Sequence, residues 1–226
     1  MKSLIVAVAI LVAAPLYAQE QTGTERGYVT GLGGFSVALG DKSANTILEG
    51  GVRVAPHILV FGNVGHFSNL LGGLQPTLDA TTSTLANTDG LGVTTTGSLP
   101  ATYVMGGVRV DLPGSTRLTP YLLGGIGTAR LKPTAQLSYA SGLLPDGSTP
   151  TVGADITSSL VSTGTFTVPA PSNSLMTTLG GGVEVPLAAH WMIDAGYRYS
   201  RIAADSALSS PAMNTNGMAF GFGYRF

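Results

Sequence analysis

Five blocks of this sequence place apolar side chains at every second position, with small or polar residues between them. In the last block, Met218, Phe220, Phe222, Tyr224 and Phe226 oppose Ala219, Gly221, Gly223 and Arg225. Three earlier blocks set Leu48, Val52 and Val54 against Glu49, Gly51 and Arg53; Val104, Val108 and Val110 against Gly107, Arg109 and Asp111; and Leu179, Val183 and Val185 against Thr178, Gly182 and Glu184. In the fifth, Trp191, Ile193, Ala195, Tyr197 and Tyr199 oppose Asp194, Gly196, Arg198 and Ser200. A period of two belongs to a β-strand, whose successive side chains point to opposite faces. In each block the charges share one face and the large apolar residues the other.

What lies against the apolar face follows from composition. Mean hydropathy is +0.32 and only 10% of residues are charged, low against the roughly 25% typical of soluble domains. The longest apolar run, Leu4–Ala14, is too short for a membrane-crossing helix, which needs about 20 residues. With Lys2 before it and Pro15 to Ala18 after it, that run has the layout of an export signal cut after Ala18. Residues 19–26 then form a short lead. An exported, apolar chain without a spanning helix needs a closed barrel to satisfy its backbone in lipid. The net charge of −1 points to no nucleic-acid partner, and the absence of cysteine excludes a disulfide scaffold or a thiolate metal site.

The expected fold is all-β, an antiparallel up-and-down barrel. Eight strands are predicted at about 27–40, 46–56, 57–68, 101–112, 117–131, 173–186, 190–202 and 213–226. Short turns at 56–57, 113–116 and 187–189 alternate with loops at 41–45, 69–100, 132–172 and 203–212. A hairpin within 132–172 joining the sheet would raise the count to ten. A repeat supports this division: Gly50-Gly51-Val52-Arg53-Val54 recurs as Gly106-Gly107-Val108-Arg109-Val110 and as Gly181-Gly182-Val183-Glu184-Val185. Each copy ends a strand running towards the short turns.

An eight-stranded barrel has an interior just wide enough for side chains to fill. The expected inner charges are Glu49, Arg53, Arg109, Asp111, Glu184, Asp194, Arg198 and Arg225, four acids and four bases. Balanced charges in such a space should pair, since an uncompensated buried charge is costly. Inward glycines either make room for bulky neighbours or bend strands for closure. A conducting pore is the alternative. The 57–68 and 117–131 blocks alternate poorly and yield no face assignment. Trp191, Tyr197, Tyr199, Tyr224 and Phe226 suit the membrane interfaces.

The closing pattern Phe220, Phe222, Tyr224, Phe226 resembles the signal by which outer-membrane barrels are recognised by their assembly machinery. Thr119-Pro120-Tyr121-Leu122-Leu123-Gly124-Gly125-Ile126-Gly127 is similar to a segment of the small outer-membrane barrels of the OmpA/OmpX type. The resemblance covers about residues 27–226. It implies a bacterial outer-membrane location, with lipids, periplasmic chaperones and the assembly machinery as partners, and it implies no activity. No periplasmic domain is expected after the barrel, so a peptidoglycan-anchoring role is not implied.

For chemistry, His66-Phe67-Ser68-Asn69 is similar to the His-x-Ser-Asn segment of outer-membrane lipid A deacylases. There a His activates a Ser nucleophile and an acid orients the His. Here the nearest following acid is Asp79, and the segment comes early in the chain. Asp205 with His66 is a weaker candidate for an aspartyl-type barrel protease. No cofactor or metal is expected: His57 and His190 fall at one end of the barrel and His66 at the other. The expected function is non-enzymatic, in envelope integrity or in surface interaction through the Thr- and Ser-rich loops 69–100 and 132–172. A narrow solute channel and a lipid A-type ester hydrolase are the alternatives.

Overall fold

In a computed structural model, which describes residues 26–38, 40–113, 118–188, 190–203 and 212–226, the chain winds into a closed barrel of eight antiparallel strands. The strands are β1 (Gly27–Ala38), β2 (Asp41–Ala55), β3 (Ile58–Phe67), β5 (Ala101–Asp111), β6 (Thr119–Leu131), β8 (Ser172–Pro186), β9 (Trp191–Ile202) and β10 (Met213–Arg225). Each pairs with the next of these eight along the chain, and β1 closes on β10. Backbone bonds from Arg26 and Gly27 N–H to the Phe226 carbonyl complete the seam at 2.6 and 3.0 Å. The export-signal segment lies outside the described residues.

The alternating faces fall as their sequence pattern requires. Leu48, Leu179, Trp191, Phe220 and Phe222 are exposed on the outer surface, whereas Glu49, Arg109, Glu184 and Asp194 are almost wholly buried. The two blocks without readable alternation are apolar on both faces. β3 turns Leu59 and Phe61 inwards and Ile58 and Val60 outwards; β6 turns Tyr121 and Leu123 inwards and Leu122 and Ile126 outwards. The eye finds no period there because the lumen takes aromatic as well as charged residues.

One expected loop, 41–45, is strand. β1 and β2 pair to their ends, Ala38 opposite Asp41, and Gly40 takes φ +96° directly before β2. Asp41, Lys42, Ser43 and Asn45 look like a loop because they are polar. Yet Ser43 and Asn45 face the lumen, where polar groups belong.

The long connections hold two further strands, β4 (Gly92–Ser98) and β7 (Thr134–Ser141), and two helices, α1 (Gln75–Asp89) and α2 (Thr157–Ser162). β4 pairs only with β7, in a two-stranded sheet separate from the barrel. The ten-strand possibility is thereby corrected. Beyond Pro100 and Pro133 the β5–β6 hairpin continues upward as β4–β7, so the extra strands lengthen one hairpin and leave the circumference unchanged.

Candidate functional site: the lumen and the folded loops

The eight inner charges meet in two groups. Towards the short turns, Asp111 accepts from Arg53 at 3.2 Å and from Arg109 Nε at 3.0 Å. Arg109 also bonds Glu184, whose second oxygen takes Arg225. Asp194 lies 3.9 Å from Arg109. Higher in the barrel, Arg198 donates to Glu49 at 2.9 Å. Opposite charges at such distances, shielded from water, interact far more strongly than at a surface.

Aromatic residues of the lumen supply further partners that the pattern of charges does not reveal. Tyr28 and Asn63 donate to the two oxygens of Glu49 at 2.8 and 3.1 Å, and Tyr121 donates to Asp194 at 2.7 Å. The Arg109 guanidinium stands 3.9 Å from the Tyr121 ring centroid and 5.1 Å from that of Tyr28. Four of the inner rings lie directly across from a glycine: Tyr28 from Gly51, Phe61 from Gly51 and Gly107, Tyr103 from Gly65, Tyr121 from Gly182. A Cβ at Gly182 would sit 2.6 Å from the Tyr121 hydroxyl. The inward glycines therefore make room, and the bulky neighbours they accommodate are mainly aromatic. That pairing of glycine with an opposing ring was the signal available in the sequence, but it needs the strand register to be read.

So filled, the lumen leaves little space. Between Asn45, Asn63, Tyr103, Thr178, Arg198 and Ser200 the cavity is about 10 Å³, close to the volume that admits one water. A second, of about 80 Å³, lies at the short-turn end beside Arg53, Asp111 and Arg225.

At the opposite end the loops fold into a cap with its own core. Leu85, Leu91, Val93, Leu137, Tyr139, Leu144, Ile156, Leu160 and Phe166 pack together, each at most 8% exposed. α1 begins with a proline in its first turn and ends at Gly90, φ +63°, a common helix stop. Its hydroxyls bond back four residues, Thr81 to Thr77 and Thr84 to Ala80, at 2.9 Å. Such bonding makes threonine a poor helix signal, and only Leu78 and Leu85 are buried along its length. Loop 69–100 therefore looks unstructured in sequence. Within 133–172, residues 154–156 are held to β7 by backbone bonds, Ile156 N–H to the Leu137 carbonyl and Tyr139 N–H to the Ala154 carbonyl, both at 2.9 Å. Just before α2, Asp155 accepts the Thr157 N–H at 2.9 Å. That bond and the Thr157 hydroxyl hold the Asp155 carboxyl below its ordinary range.

The proposed hydrolase pair is not joined. His66 faces outwards with Nδ1 3.1 Å from the Thr102 hydroxyl on β5, while Ser68 Oγ accepts the Ala44 N–H from β2 at 3.0 Å. The two side chains thus engage the strands on opposite sides of β3. Asp205 lies outside the described residues. The closing residues Phe220, Phe222, Tyr224 and Phe226 all point outwards, and Trp191 meets Tyr224 edge to face at 5.4 Å at the short-turn end.

Comparison with known proteins agrees with this architecture. The family model described as outer membrane protein beta-barrel domain matches residues 4–226. Neisserial surface protein A is similar in structure with a TM-score of 0.56 at 14% identity, covering 88% of this chain and 97% of that one. The attachment invasion locus protein Ail of Yersinia pestis gives 0.48 at 15% identity, covering 90% and 100%. The N-terminal barrel domain of Pseudomonas aeruginosa OprF gives 0.44 at 8%, covering 91% and 100%. No curated protein sequence matches the chain.

Proposed function

Since this chain belongs to the outer membrane protein β-barrel family and is an integral outer-membrane protein, we propose that it is a non-conducting, non-enzymatic barrel that works through its folded extracellular loops. One observation carries this reading. Loops 69–100 and 132–172 bury nine apolar side chains against one another on the water side of the barrel. Flexible cover needs no such core. A rigid surface presented to a partner does, because ordering it in advance lowers the entropy lost on binding.

The cap is also acidic. Between Asn69 and Pro100 and between Pro133 and Ser172 the chain has Asp79, Asp89, Asp146 and Asp155 and no Lys or Arg. A partner surface with basic groups is favoured by that charge. The lumen agrees with the same reading, since ion pairs and rings fill it.

The deciding experiment is single-channel recording of the refolded barrel in a planar bilayer, with heat-shifted gel mobility to establish folding. Silence is expected. Reproducible conductance steps would replace this reading with the narrow-channel one and make Arg53, Arg109, Glu184 and Arg198 the residues to substitute.

A further inference from the structure

A groove of about 490 Å³ cuts the cap between α1 and residues 165–167. Leu85 and Phe166, both buried in the cap core, give it an apolar lining. One wall is a stripe of α1 in which Thr77, Thr81 and Thr84 recur at helical spacing, and Asp89 stands at its end. At about 1.5 Å per residue, the lined stretch from Pro76 to Asp89 is about 20 Å long. An extended peptide of about six residues has that reach.

The polar groups of the groove are hydrogen-bond acceptors. Thr81 and Thr84 spend their protons on the carbonyls of Thr77 and Ala80, at 2.9 Å. Thr163 gives its proton to the Ser159 and Leu160 carbonyls at 3.1 Å, so Thr165 is the donor in the 3.0 Å bond between the two hydroxyls. The N–H groups of Thr165 and Phe166 both go to the Leu160 carbonyl at 3.0 Å. A hydroxyl whose proton is engaged still offers its lone pairs.

Asp89 sets the sign of the ligand. It is exposed, and its carboxylate has neither an ion pair nor a hydrogen-bond partner among the described residues. It is the last residue of α1, and the last turn holds no basic residue. A helix C-terminus already carries partial negative charge, so a carboxylate there is unfavourable until a cation joins it.

We propose that this groove binds an extended basic segment of a protein partner, with a lysine or arginine head at Asp89 and the α1 C-terminus. Those two side chains carry several donors and no acceptor, the complement of the groove's polar lining. Their alkyl stems cover apolar surface while the head stays polar, which matches Leu85 and Phe166. The proposal rests on the reading of the cap as a preformed binding surface and names the site and the chemistry that it takes.

The test uses the full barrel refolded in zwitterionic detergent, with heat-shifted mobility to establish folding. The probe is a capped hexapeptide of alternating arginine and alanine with a neutral dye, and binding is read by fluorescence anisotropy at physiological salt. The wild type should bind it and should not bind the same peptide with glutamine for arginine. D89N should weaken binding about tenfold, the loss of one charge-assisted bond. A80F, which fills the groove from an exposed position, should abolish it. D146N removes a cap carboxylate outside the groove and should leave binding unchanged. Equal loss in D89N and D146N would assign binding to the overall charge of the cap, which overturns the groove and leaves the cap's role as a binding surface standing. Channel steps in the bilayer recording overturn that role's non-conducting barrel whatever the peptide does. No binding by the wild type, unchanged binding in A80F, binding of the glutamine peptide, or displacement of the arginine peptide by an equal concentration of spermidine each overturns the proposal.

Discussion

Glu49 on β2 and Arg198 on β9 meet at 2.9 Å across the lumen, although β1 and β10 separate their strands around the wall. The pair spans the barrel from side to side, so it forms only when the sheet has closed with the correct stagger. Both side chains are at least nine-tenths buried. Substituting Arg198→Met alone leaves a buried carboxylate uncompensated and should cost about 3–5 kcal/mol. The double variant Glu49→Gln, Arg198→Met removes both charges, keeps an acceptor for Tyr28, and should recover most of that loss. Guanidinium unfolding in vesicles, read by heat-shifted mobility, checks it. Equal destabilisation by the single and double variants would show that the charge pair is not the source.

Gly182 is the sharpest test of the ring-and-glycine arrangement. A Cβ there would stand 2.6 Å from the Tyr121 hydroxyl and 2.5 Å from the Ala195 carbonyl oxygen. The ring can move, but only by giving up its 2.7 Å bond to Asp194, and the carbonyl belongs to the neighbouring strand. Gly182→Ala should therefore destabilise by about 1–3 kcal/mol, as overpacking does. Gly31, with nothing within 4 Å of an added Cβ, should accept alanine with little change in the same unfolding assay.

Leu160 is fully buried in the cap core, away from the lumen. Leu160→Ala should cost the cap about 2–5 kcal/mol and leave the barrel intact. Thermolysin should then cut within 133–172 at lower concentration, while the heat-shifted band of the barrel persists. Loss of the barrel band itself would mean that cap and barrel fold as one cooperative unit.

Asp155 gives the cap a pH dependence with a defined sign. Its carboxyl is held below the ordinary value by the Thr157 hydroxyl and N–H, with Gln136 at 3.0 Å adding to them. A depressed carboxylate contributes stability that is complete above its unfolded pKa, about 3.9, and is lost as pH falls through the lower folded value. Protection of the cap amides against hydrogen exchange should therefore hold above about pH 5 and weaken below about pH 4. Asp155→Asn should flatten that acid limb, and an unchanged limb would assign it to another carboxylate.

The sequence by itself determined the eight barrel strands, apart from their ends, and most of their faces. The period of two is a local property, and lipid penalises a charge on the outer face wherever it falls, by up to ~2–4 kcal/mol at the midplane. That is why Leu48 and Phe222 could be placed outside and Glu49 and Arg109 inside from the chain alone. Tertiary structure decided everything that depends on closure. Which acid meets which base follows from strand order and stagger, and no spacing along the chain encodes the meeting of Glu49 with Arg198. Tyr28, Phe61 and Tyr121 became lumen residues only once register set a glycine across from each. His66, read by local motif as half of a nucleophilic pair, took its place from the strands beside it, next to Thr102 and away from Ser68. Helix α1, rich in threonine and with two buried leucines, is stabilised by the β4–β7 sheet that its own sequence does not contain. Where one residue's neighbours along the chain set its environment, sequence sufficed; where neighbours across the sheet set it, only the closed barrel could.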